Sequence, residues 1–144
     1  MNKTFSAQLN TAVNASLLAG KSIMRFYSRL DSLKITSKGF NDYVSEADQE
    51  SEKIITDELS KKYPNYKITA EESGSNKVNS EFEWFIDPLD GTTNFIHGIP
   101  QFAISIGLCK NKVPILGVVY DPFKNELFCA EEGNGAYLND KRIR

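Results

Sequence analysis

One stretch, residues 84–95, constrains the fold of this chain more than any other. Its first half, Trp-Phe-Ile, is apolar and typical of a buried strand, and it ends at Asp87 and Asp90. A Gly-Thr-Thr sequence follows at 91–93, which combines a flexible residue with hydroxyl residues that commonly begin a helix. The stretch therefore predicts a strand, a turn and a helix in direct succession, and we expect the rest of the chain to be arranged around that turn.

The two aspartates are candidate metal ligands. Asp87 and Asp90 can direct their carboxylates at one point if the chain between them curves, and Pro88 restricts φ and favours such a curve. With the Leu89 carbonyl they offer only oxygen ligands, which suit Mg²⁺ or Mn²⁺ rather than Zn²⁺. The alternative is a β-turn in which aspartate acts as a turn former. The strand before the motif and the Gly-Thr-Thr after it favour the metal site.

Gly91 and Thr92 are candidates for binding an anion. Glycine allows the backbone to approach a ligand closely, and the first N–H groups of a helix have no acceptor within the helix. An anion can accept from those groups and gains from the helix dipole. The alternative is a plain threonine N-cap. A cation beside a phosphate is the arrangement used in metal-assisted phosphate chemistry.

Further acidic residues occur upstream of the motif. Glu71 and Glu72 follow a predicted strand at 66–70, and adjacent side chains there point to opposite faces, so at most one can join Asp87. The alternative is two surface acids. Asp48 stands three residues after Ser45, as in a capping box, although a carboxylate near a threonine hydroxyl can also take part in a proton relay.

Residues 37–42 are predicted to form a loop that includes Lys38 and Asp42. A solvated lysine is the alternative interpretation for Lys38. His97 is the only histidine, and we assign it to packing or a loop, because an oxygen-ligated metal site needs no imidazole.

Composition sets limits on function. The 144 residues carry 17 basic and 19 acidic side chains, so no electrostatic footprint for nucleic acid is evident. The apolar runs are too short to span a membrane, and the N-terminus lacks the apolar region of a signal peptide. We therefore expect a cytoplasmic protein without a membrane partner, with Cys109 and Cys129 as unpaired thiols.

The pattern of elements predicts an α+β fold. Apolar residues at helical spacing occur over 4–29, and a second helix is predicted from Ser45 to the Pro64-Asn65 stop. After a central strand at 82–87, short turns separate strands near 103–109, 113–120, 126–130 and 136–138, which predicts an antiparallel meander. We expect two long helices packed on one face of a mostly antiparallel sheet, with no helix following to cover the other face.

These motifs, taken together, resemble the inositol monophosphatase family. The resemblance is carried by Asp42 and Asp48, by Ala-Glu-Glu-Ser at 70–73, and by Asp-Pro-Leu-Asp-Gly-Thr-Thr-Asn-Phe at 87–95. Gly-Val-Val-Tyr-Asp-Pro at 117–122 and Gly-Asn-Gly-Ala-Tyr-Leu-Asn at 133–139 are also similar to that family. The resemblance implies a Mg²⁺-dependent, lithium-sensitive phosphomonoesterase and the N-terminal half of a layered αβαβα sugar-phosphatase fold.

The resemblance also implies roles for individual residues. Glu71, Asp87 and the Leu89 carbonyl would bind one Mg²⁺, and Asp87 with Asp90 a second; two or three ions are expected, and Mn²⁺ is an alternative. The remaining roles involve six residues. Backbone N–H groups of Gly91 and Thr92 would bind the substrate phosphate, the Thr92 hydroxyl with Asp48 would orient the attacking water, and Lys38, Asp42 and Glu72 would contribute from or beside a mobile loop.

One departure from the family pattern affects the expected activity. Members are nearly twice as long, and their second half contains a Trp-Asp-x-Ala/Gly-Gly motif that completes the second metal site. The single tryptophan here, Trp84, belongs to the first motif. We therefore expect residues 1–144 to be the N-terminal metal-binding domain without its C-terminal α/β domain, with weak or absent turnover alone and association as a homodimer or with that second half.

The resemblance leaves three functions open. The first is hydrolysis of a small phosphomonoester such as myo-inositol 1-phosphate. The second is a related phosphatase on the same scaffold: a fructose-1,6-bisphosphatase, a 3′,5′-bisphosphate nucleotidase or a histidinol-phosphatase. The third is a non-catalytic binding partner.

Overall fold

The computed structural model describes residues 4–40 and 42–144. Within them lie three α-helices and ten strands, joined by turns and a short 3₁₀ segment, Leu30–Ser32. The helices are α1 (Ala7–Tyr27), α2 (Glu46–Lys62) and α3 (Thr92–Ile96). The strands are β1 (Ile35–Gly39), β2 (Asp42–Ser45), β3 (Lys67–Ala70), β4 (Gly74–Ser75), β5 (Phe82–Asp90), β6 (Ala103–Lys110), β7 (Val113–Asp121), β8 (Glu126–Glu131), β9 (Gly135–Leu138) and β10 (Lys141–Ile143).

Both long helices begin at serine caps. The Ser6 hydroxyl accepts from the Leu9 N–H at 3.1 Å at the start of α1. Ser45 and Asp48 form the complete predicted capping box at the start of α2, in which each side chain bonds the other residue's backbone N–H. α2 ends at Lys62, one turn after Leu59 and before Pro64, because proline does not continue a helix.

Eight strands form one sheet in the order β10-β9-β8-β7-β6-β5-β3-β4. All neighbouring pairs are antiparallel except β3 and β5, which run parallel. β6 through β9 make the predicted antiparallel meander, β5 and β10 extend it on either side, and the α+β prediction with a mostly antiparallel sheet is confirmed.

Helices α1 and α2 cover one face of this sheet and enclose the core between them. The alternation of bulky residues along the strands directs Trp84, Ile106 and Val118 into that core, where each is almost fully buried. Gly20 in α1 has a packing reason, because a Cβ there would lie 2.5 Å from the Tyr120 ring. The glycine lowers helix propensity but lets the helix approach β7 closely.

The opposite sheet face is apolar and has no covering helix among the described residues. Register places Phe85, Gly107 and Gly117 side by side across three strands, and Ala130, Ala136 and Ile143 extend the row. A shallow cavity of about 310 Å³ lies over the small residues in the middle of this row. Phe85, Val119 and Phe128 are 43%, 43% and 37% exposed around it.

The predicted loop at 37–42 is wrong in part. β1 and β2 form a separate two-stranded hairpin, with Lys38 inside β1 and Asp42 at the start of β2. The β-formers Thr36, Tyr43 and Val44 pair across it, and the register shifts between Ser37 and Gly39. Asn41, also in the predicted loop, lies outside the described residues.

One further boundary differs from the predictions. β5 runs to Asp90 instead of ending near residue 87, because pairing with β6 resumes after an interruption. Residues 141–144 follow a turn, where one more strand is expected from the sequence, and β10 lies there. In the described part of the chain, no helix combines the length and the apolarity needed to cross a membrane.

Candidate metal and phosphate site

A β-bulge in β5 creates the centre of the site. Asp87 pairs with Ser105 and Asp90 with Ala103, so one extra residue is inserted in β5 between these two pairs. The strand bends there, and Pro88 and Leu89 leave the ladder with β6. The curve expected from the sequence therefore exists, and it takes the form of a bulge within a strand.

The parallel pairing of β3 and β5 brings Glu71 to the same place. Ala70 pairs with Ile86, and the Glu71 N–H donates to the Ile86 carbonyl at 3.1 Å. Because the carboxyl ends of parallel neighbours meet at one sheet edge, the Glu71 side chain reaches hydrogen-bonding contact with Asp87. Burial, this hydrogen bond and the charges of Glu71 and Asp90 raise the pKa of Asp87 to about 7. Without a cation the site thus concentrates negative charge.

A polar cavity of about 230 Å³ lies over the bulge and the start of α3. Its walls are made by three segments: the hairpin, the end of β3 and the β5–α3 turn. The lining residues are Lys38, Asp42, Tyr43, Glu71, Asp87, Leu89, Asp90, Gly91, Thr92, Thr93 and Asn94. Asp48 and Glu72, which the sequence also suggested, do not line the cavity. Asp48 bonds the lining residue Thr92, and Glu72 bonds the lining residue Lys38.

The donor set in this cavity fits a hard cation in kind. Glu71, Asp87 and Asp90 are carboxylates, and the Leu89 carbonyl lies between the two aspartates. Oxygen donors of this type are those Mg²⁺ and Mn²⁺ prefer. In the described ranges, no three His, Cys, Asp or Glu side chains are already grouped closely enough to hold a metal ion. A cation would therefore have to draw these carboxylates together.

Gly91 sets the geometry of the turn into α3. It caps the helix with φ of 88°, in the left-handed region, which L-residues other than glycine enter at a cost. A Cβ at this position would lie 2.8 Å from the Gln101 carbonyl oxygen. The alternative of a plain threonine N-cap is not realised, because the cap is Gly91 and no side chain caps the helix. The first residues of the five-residue α3, Thr92 to Asn94, line the cavity.

The Thr92 hydroxyl is directed to Asp48. It lies 2.7 Å from Asp48 Oδ1 and 3.1 Å from the Leu89 carbonyl oxygen. Asp48 is fully buried, and its other oxygen, Oδ2, accepts from the Ser45 N–H at 2.9 Å and from the Ser45 hydroxyl at 2.6 Å. Burial raises the pKa of Asp48, while the hydrogen bonds from Ser45 and Thr92 oppose that rise.

Lys38 and Glu72 link the hairpin to the end of β3. The Lys38 ammonium lies 3.1 Å from Glu72 Oε2 and 3.9 Å from Asp42 Oδ1. Partial burial opposes protonation of Lys38, but the hydrogen bond and charge of Glu72 raise its pKa. Burial raises the pKa of Glu72, and Lys38 counteracts this. Glu72 thus faces the hairpin while Glu71 faces Asp87, so one acid of the pair joins the site.

His97 takes no part in the cavity. Its ring is exposed, and Nδ1 lies 2.7 Å from the Thr93 carbonyl oxygen at the end of α3. Sequence reasoning missed Tyr43, Thr93 and Asn94 as lining residues. Thr93 and Asn94 stood inside the quoted motif, whereas Tyr43 depends on the hairpin, which the sequence did not indicate.

Two polar residues behind the cavity were also missed. Ser51 and Glu52 on α2 are buried. The Ser51 hydroxyl donates to the Pro88 carbonyl, and the Glu52 carboxylate accepts the Glu72 N–H. Their spacing from Asp48, three and four residues, places them on the same face of the helix. That spacing from Asp48 was the one feature of the sequence that could have identified Ser51 and Glu52 as neighbours of the site.

Fold and site together define a class: an α+β protein with a carboxylate cluster beside a helix start, suited to a cation next to a phosphate. Comparison with known proteins agrees with that class. The chain belongs to the inositol monophosphatase family, whose family model matches residues 6–144. This is a family of phosphatases that are generally metal-dependent, and the resemblance seen in the sequence is confirmed.

Individual relatives cover almost all of the chain. A protein of Neisseria meningitidis described as a putative Nus factor SuhB is 51% identical over 137 residues, which is 94% of this chain and 52% of the relative. An inositol-1-monophosphatase of Mesorhizobium japonicum is 46% identical over 140 residues, 96% of this chain and 53% of the relative.

A solved structure is equally similar. The extragenic suppressor protein suhB of Bartonella henselae superimposes with a TM-score of 0.94 at 47% identity, over 96% of this chain and 54% of that one. The chain thus spans about half the length of the curated relatives it matches.

Proposed function

We propose that the site serves Mg²⁺-dependent hydrolysis of a small phosphomonoester, with myo-inositol 1-phosphate as the first candidate. The observation that carries this proposal is the single cavity that holds Glu71, Asp87 and Asp90 together with the start of α3. We infer that the carboxylates act there as cation ligands beside phosphate-binding N–H groups, which is the arrangement used in metal-assisted phosphoryl chemistry. Two or three Mg²⁺, or Mn²⁺ in their place, are the proposed cofactors.

In this proposal each group of the chain has one task. Glu71, Asp87, the Leu89 carbonyl and Asp90 hold the cations, which supply an activated water and neutralise phosphate charge. Backbone N–H groups at Gly91 and Thr92 hold the phosphate. The Thr92 hydroxyl donates to Asp48 in the structure, and its lone pairs are then free to accept from the attacking water and orient it. Lys38, Asp42 and Glu72 shape the hairpin side of the cavity.

The extent of the chain sets the expected rate. Relatives extend over about twice its length, and the proposed second cation has only Asp87 and Asp90 from this half. We therefore expect weak or absent turnover by these 144 residues alone, with lithium sensitivity and a cytoplasmic location as parts of the same proposal.

The experiment is a phosphate-release assay with Mg²⁺. It uses myo-inositol 1-phosphate, fructose 1,6-bisphosphate, a 3′,5′-bisphosphate nucleotide and histidinol phosphate as substrates. The expected result is slow, lithium-inhibited release that is fastest from inositol phosphate and abolished by Asp87→Ala. Faster release from another substrate would favour the related phosphatases instead. Lithium-inhibited turnover as fast as that of full-length relatives would contradict the expectation for this half.

We also propose a partner for the apolar sheet face. The row from Phe85 across Gly107 and Gly117 is shaped to receive another layer of structure, and relatives contain an additional half of comparable length. That half is the proposed occupant. Co-expression of residues 1–144 with the second half of the Mesorhizobium relative should yield a stable complex; self-association of the chain in its place would point to a homodimer.

Relatives described as Nus factors favour a second candidate function. In this alternative the chain takes part in a protein or nucleic-acid assembly without catalysis. The chain is close to neutral, with 17 basic and 19 acidic side chains, so a protein partner is the better fit. A variant such as Asp87→Ala would separate the two: it should abolish phosphate release and leave a purely assembling role intact.

A further inference from the structure

The helix α2 contacts the backbone of the site through two buried polar side chains that have no part in the proposed chemistry. Ser51 donates its hydroxyl to the Pro88 carbonyl at 2.7 Å. Glu52 accepts the Glu72 N–H at 2.8 Å. Ser51 is fully buried and Glu52 is 7% exposed, and buried polar side chains of this kind are usually hydrogen-bonded in native structures.

The Ser51 hydrogen bond acts on the bulge. Pro88 and Leu89 are outside the pairing between β5 and β6, so the Pro88 carbonyl has no partner across that ladder. Ser51 supplies one, in a buried position where an unpaired carbonyl is costly. The contact therefore holds the peptide between the two aspartates at a fixed distance from α2.

The Glu52 hydrogen bond acts on the other ligand-bearing segment. The Glu71 N–H is bound to the Ile86 carbonyl on β5, and the next N–H, that of Glu72, is bound to Glu52. The peptide on either side of the Glu71 Cα is thereby fixed from two directions. This orientation is what brings the Glu71 side chain to Asp87 and the Glu72 side chain to Lys38.

We infer that Ser51 and Glu52 are positioning residues, through which α2 sets the separation of the Glu71 segment from the Asp87–Asp90 bulge and so the affinity for a divalent cation. Asp48 occupies the same helix face and holds Thr92. One helix thus contacts the β5 bulge, the Glu71 segment and the turn at Thr92. The inference rests on the proposed function, since it assumes that these segments bind a cation.

The test compares Mn²⁺ affinity, measured by isothermal titration calorimetry, for the whole chain and its variants. Ser51→Ala and Glu52→Ala should each weaken Mn²⁺ binding about tenfold or more, the range seen when groups that orient metal ligands are removed. Glu52→Gln should restore most of the affinity, because its amide oxygen can still accept the Glu72 N–H.

Two matched controls separate positioning from general destabilisation. Glu50, on the same helix, bonds the buried Ser22 of α1 and does not contact the site. Ser16 is a buried serine that bonds the Val13 carbonyl within α1 at 2.7 Å. Glu50→Ala and Ser16→Ala should leave Mn²⁺ affinity within twofold of wild type. If Ser51→Ala and Glu52→Ala lose no more affinity than these controls, the inference is overturned.

A second measurement, hydrogen exchange of the metal-free chain, keeps the failure of the inference distinct from the failure of the proposed function. Glu52→Ala should speed exchange selectively in 68–75, and Ser51→Ala selectively in 85–92, with α1 unchanged. If wild type takes up no Mn²⁺, the proposed function fails. Faster amide exchange confined to 68–75 or 85–92 in the variants would then still support a positioning role for Ser51 and Glu52. Faster exchange throughout the chain would overturn that role.

Discussion

Asp48 bonds Thr92 with one carboxylate oxygen and the N-terminal cap of α2 with the other. Oδ1 accepts the Thr92 hydroxyl at 2.7 Å, while Oδ2 accepts the Ser45 N–H at 2.9 Å. The two interpretations of Asp48 left open by the sequence, a capping box and a partner of a threonine hydroxyl, are therefore both realised. Because a single buried side chain serves both, helix α2 and the turn at Thr92 are mechanically linked.

The first prediction concerns that link. Thr92→Val removes the donor and leaves Oδ1 of the buried Asp48 unpaired, so the free energy of unfolding should fall by about 1–3 kcal/mol. Urea denaturation followed by the fluorescence of Trp84, the only tryptophan, measures the change. Thr93→Val, at the exposed neighbouring position, should change stability by less than about 0.5 kcal/mol. Equal effects of the two variants would contradict the link.

The second prediction concerns the turn at Gly91. Gly91→Ala must accept both φ of 88° and a Cβ 2.8 Å from the Gln101 carbonyl oxygen. Gly133 has a similar φ of 79° but open space around the Cβ position. Gly133→Ala should therefore cost about 1 kcal/mol, the strain alone, and Gly91→Ala clearly more, in the same denaturation experiment. If Gly91→Ala lowers the free energy of unfolding by no more than Gly133→Ala does, the contact with the Gln101 carbonyl is relieved by local movement and the prediction is wrong.

The third prediction concerns pH and the Glu71–Asp87 contact in the metal-free chain. The folded-state pKa of Asp87 is raised to about 7, above the value near 3.9 of an unfolded chain. Its stabilising contribution is therefore complete below about pH 4 and is lost as the pH rises through 7. In chelator, Asp87→Asn should melt above wild type at pH 8, and the difference should shrink as the pH falls and disappear only near pH 4.

Two comparisons decide that prediction. Asp57→Asn removes an exposed aspartate that pairs with Lys53 at 2.9 Å and should show no such change with pH. Saturating Mn²⁺ should reverse the order at pH 8, because the cation stabilises wild type by binding to the folded state. A melting temperature of Asp87→Asn below that of wild type in chelator at pH 8 would show that the ionised Asp87 does not destabilise the folded chain, and the prediction would be wrong.

The fourth prediction concerns the apolar sheet face. Phe128→Ser should reduce binding of a hydrophobic dye and any self-association of the chain, because it removes a 37% exposed ring beside the row of small residues. Phe40→Ser removes a 96% exposed ring at the hairpin, on another surface, and serves as the control. If only Phe40→Ser reduces dye binding and association, the sheet face is not the interacting surface.

Much of the fold could be predicted from local patterns. Helical spacing, the Ser45 cap and the Pro64 stop define α2, and alternation along residues 103–109 defines β6, because burial on one face determines both patterns. The hairpin was missed because Ser37, Lys38 and Gly39 lack the apolar alternation of a buried strand, and a two-stranded hairpin buries little.

The candidate site could be predicted only in its composition. The motif identified Asp87, Asp90 and Gly91, since their spacing is local. The bulge in β5 and the role of Ser51 depend on pairing between distant segments, and the meeting of Glu71 with Asp87 was expected from the family resemblance and not from spacing. Sequence periodicity carries no direct signal for such contacts, although the position of Ser51 three residues after Asp48 gave a hint.

The central claim is that a divalent cation binds where β5 bulges, between Glu71 and Asp90. The most direct measurement is paramagnetic broadening of backbone amide signals during a titration with Mn²⁺, recorded by nuclear magnetic resonance. Amides at 71–72 and 87–92 should broaden first, and Asp87→Ala should abolish this pattern. Broadening that begins elsewhere, for example around the exposed Asp57, or that persists unchanged at 87–92 in Asp87→Ala, would contradict it.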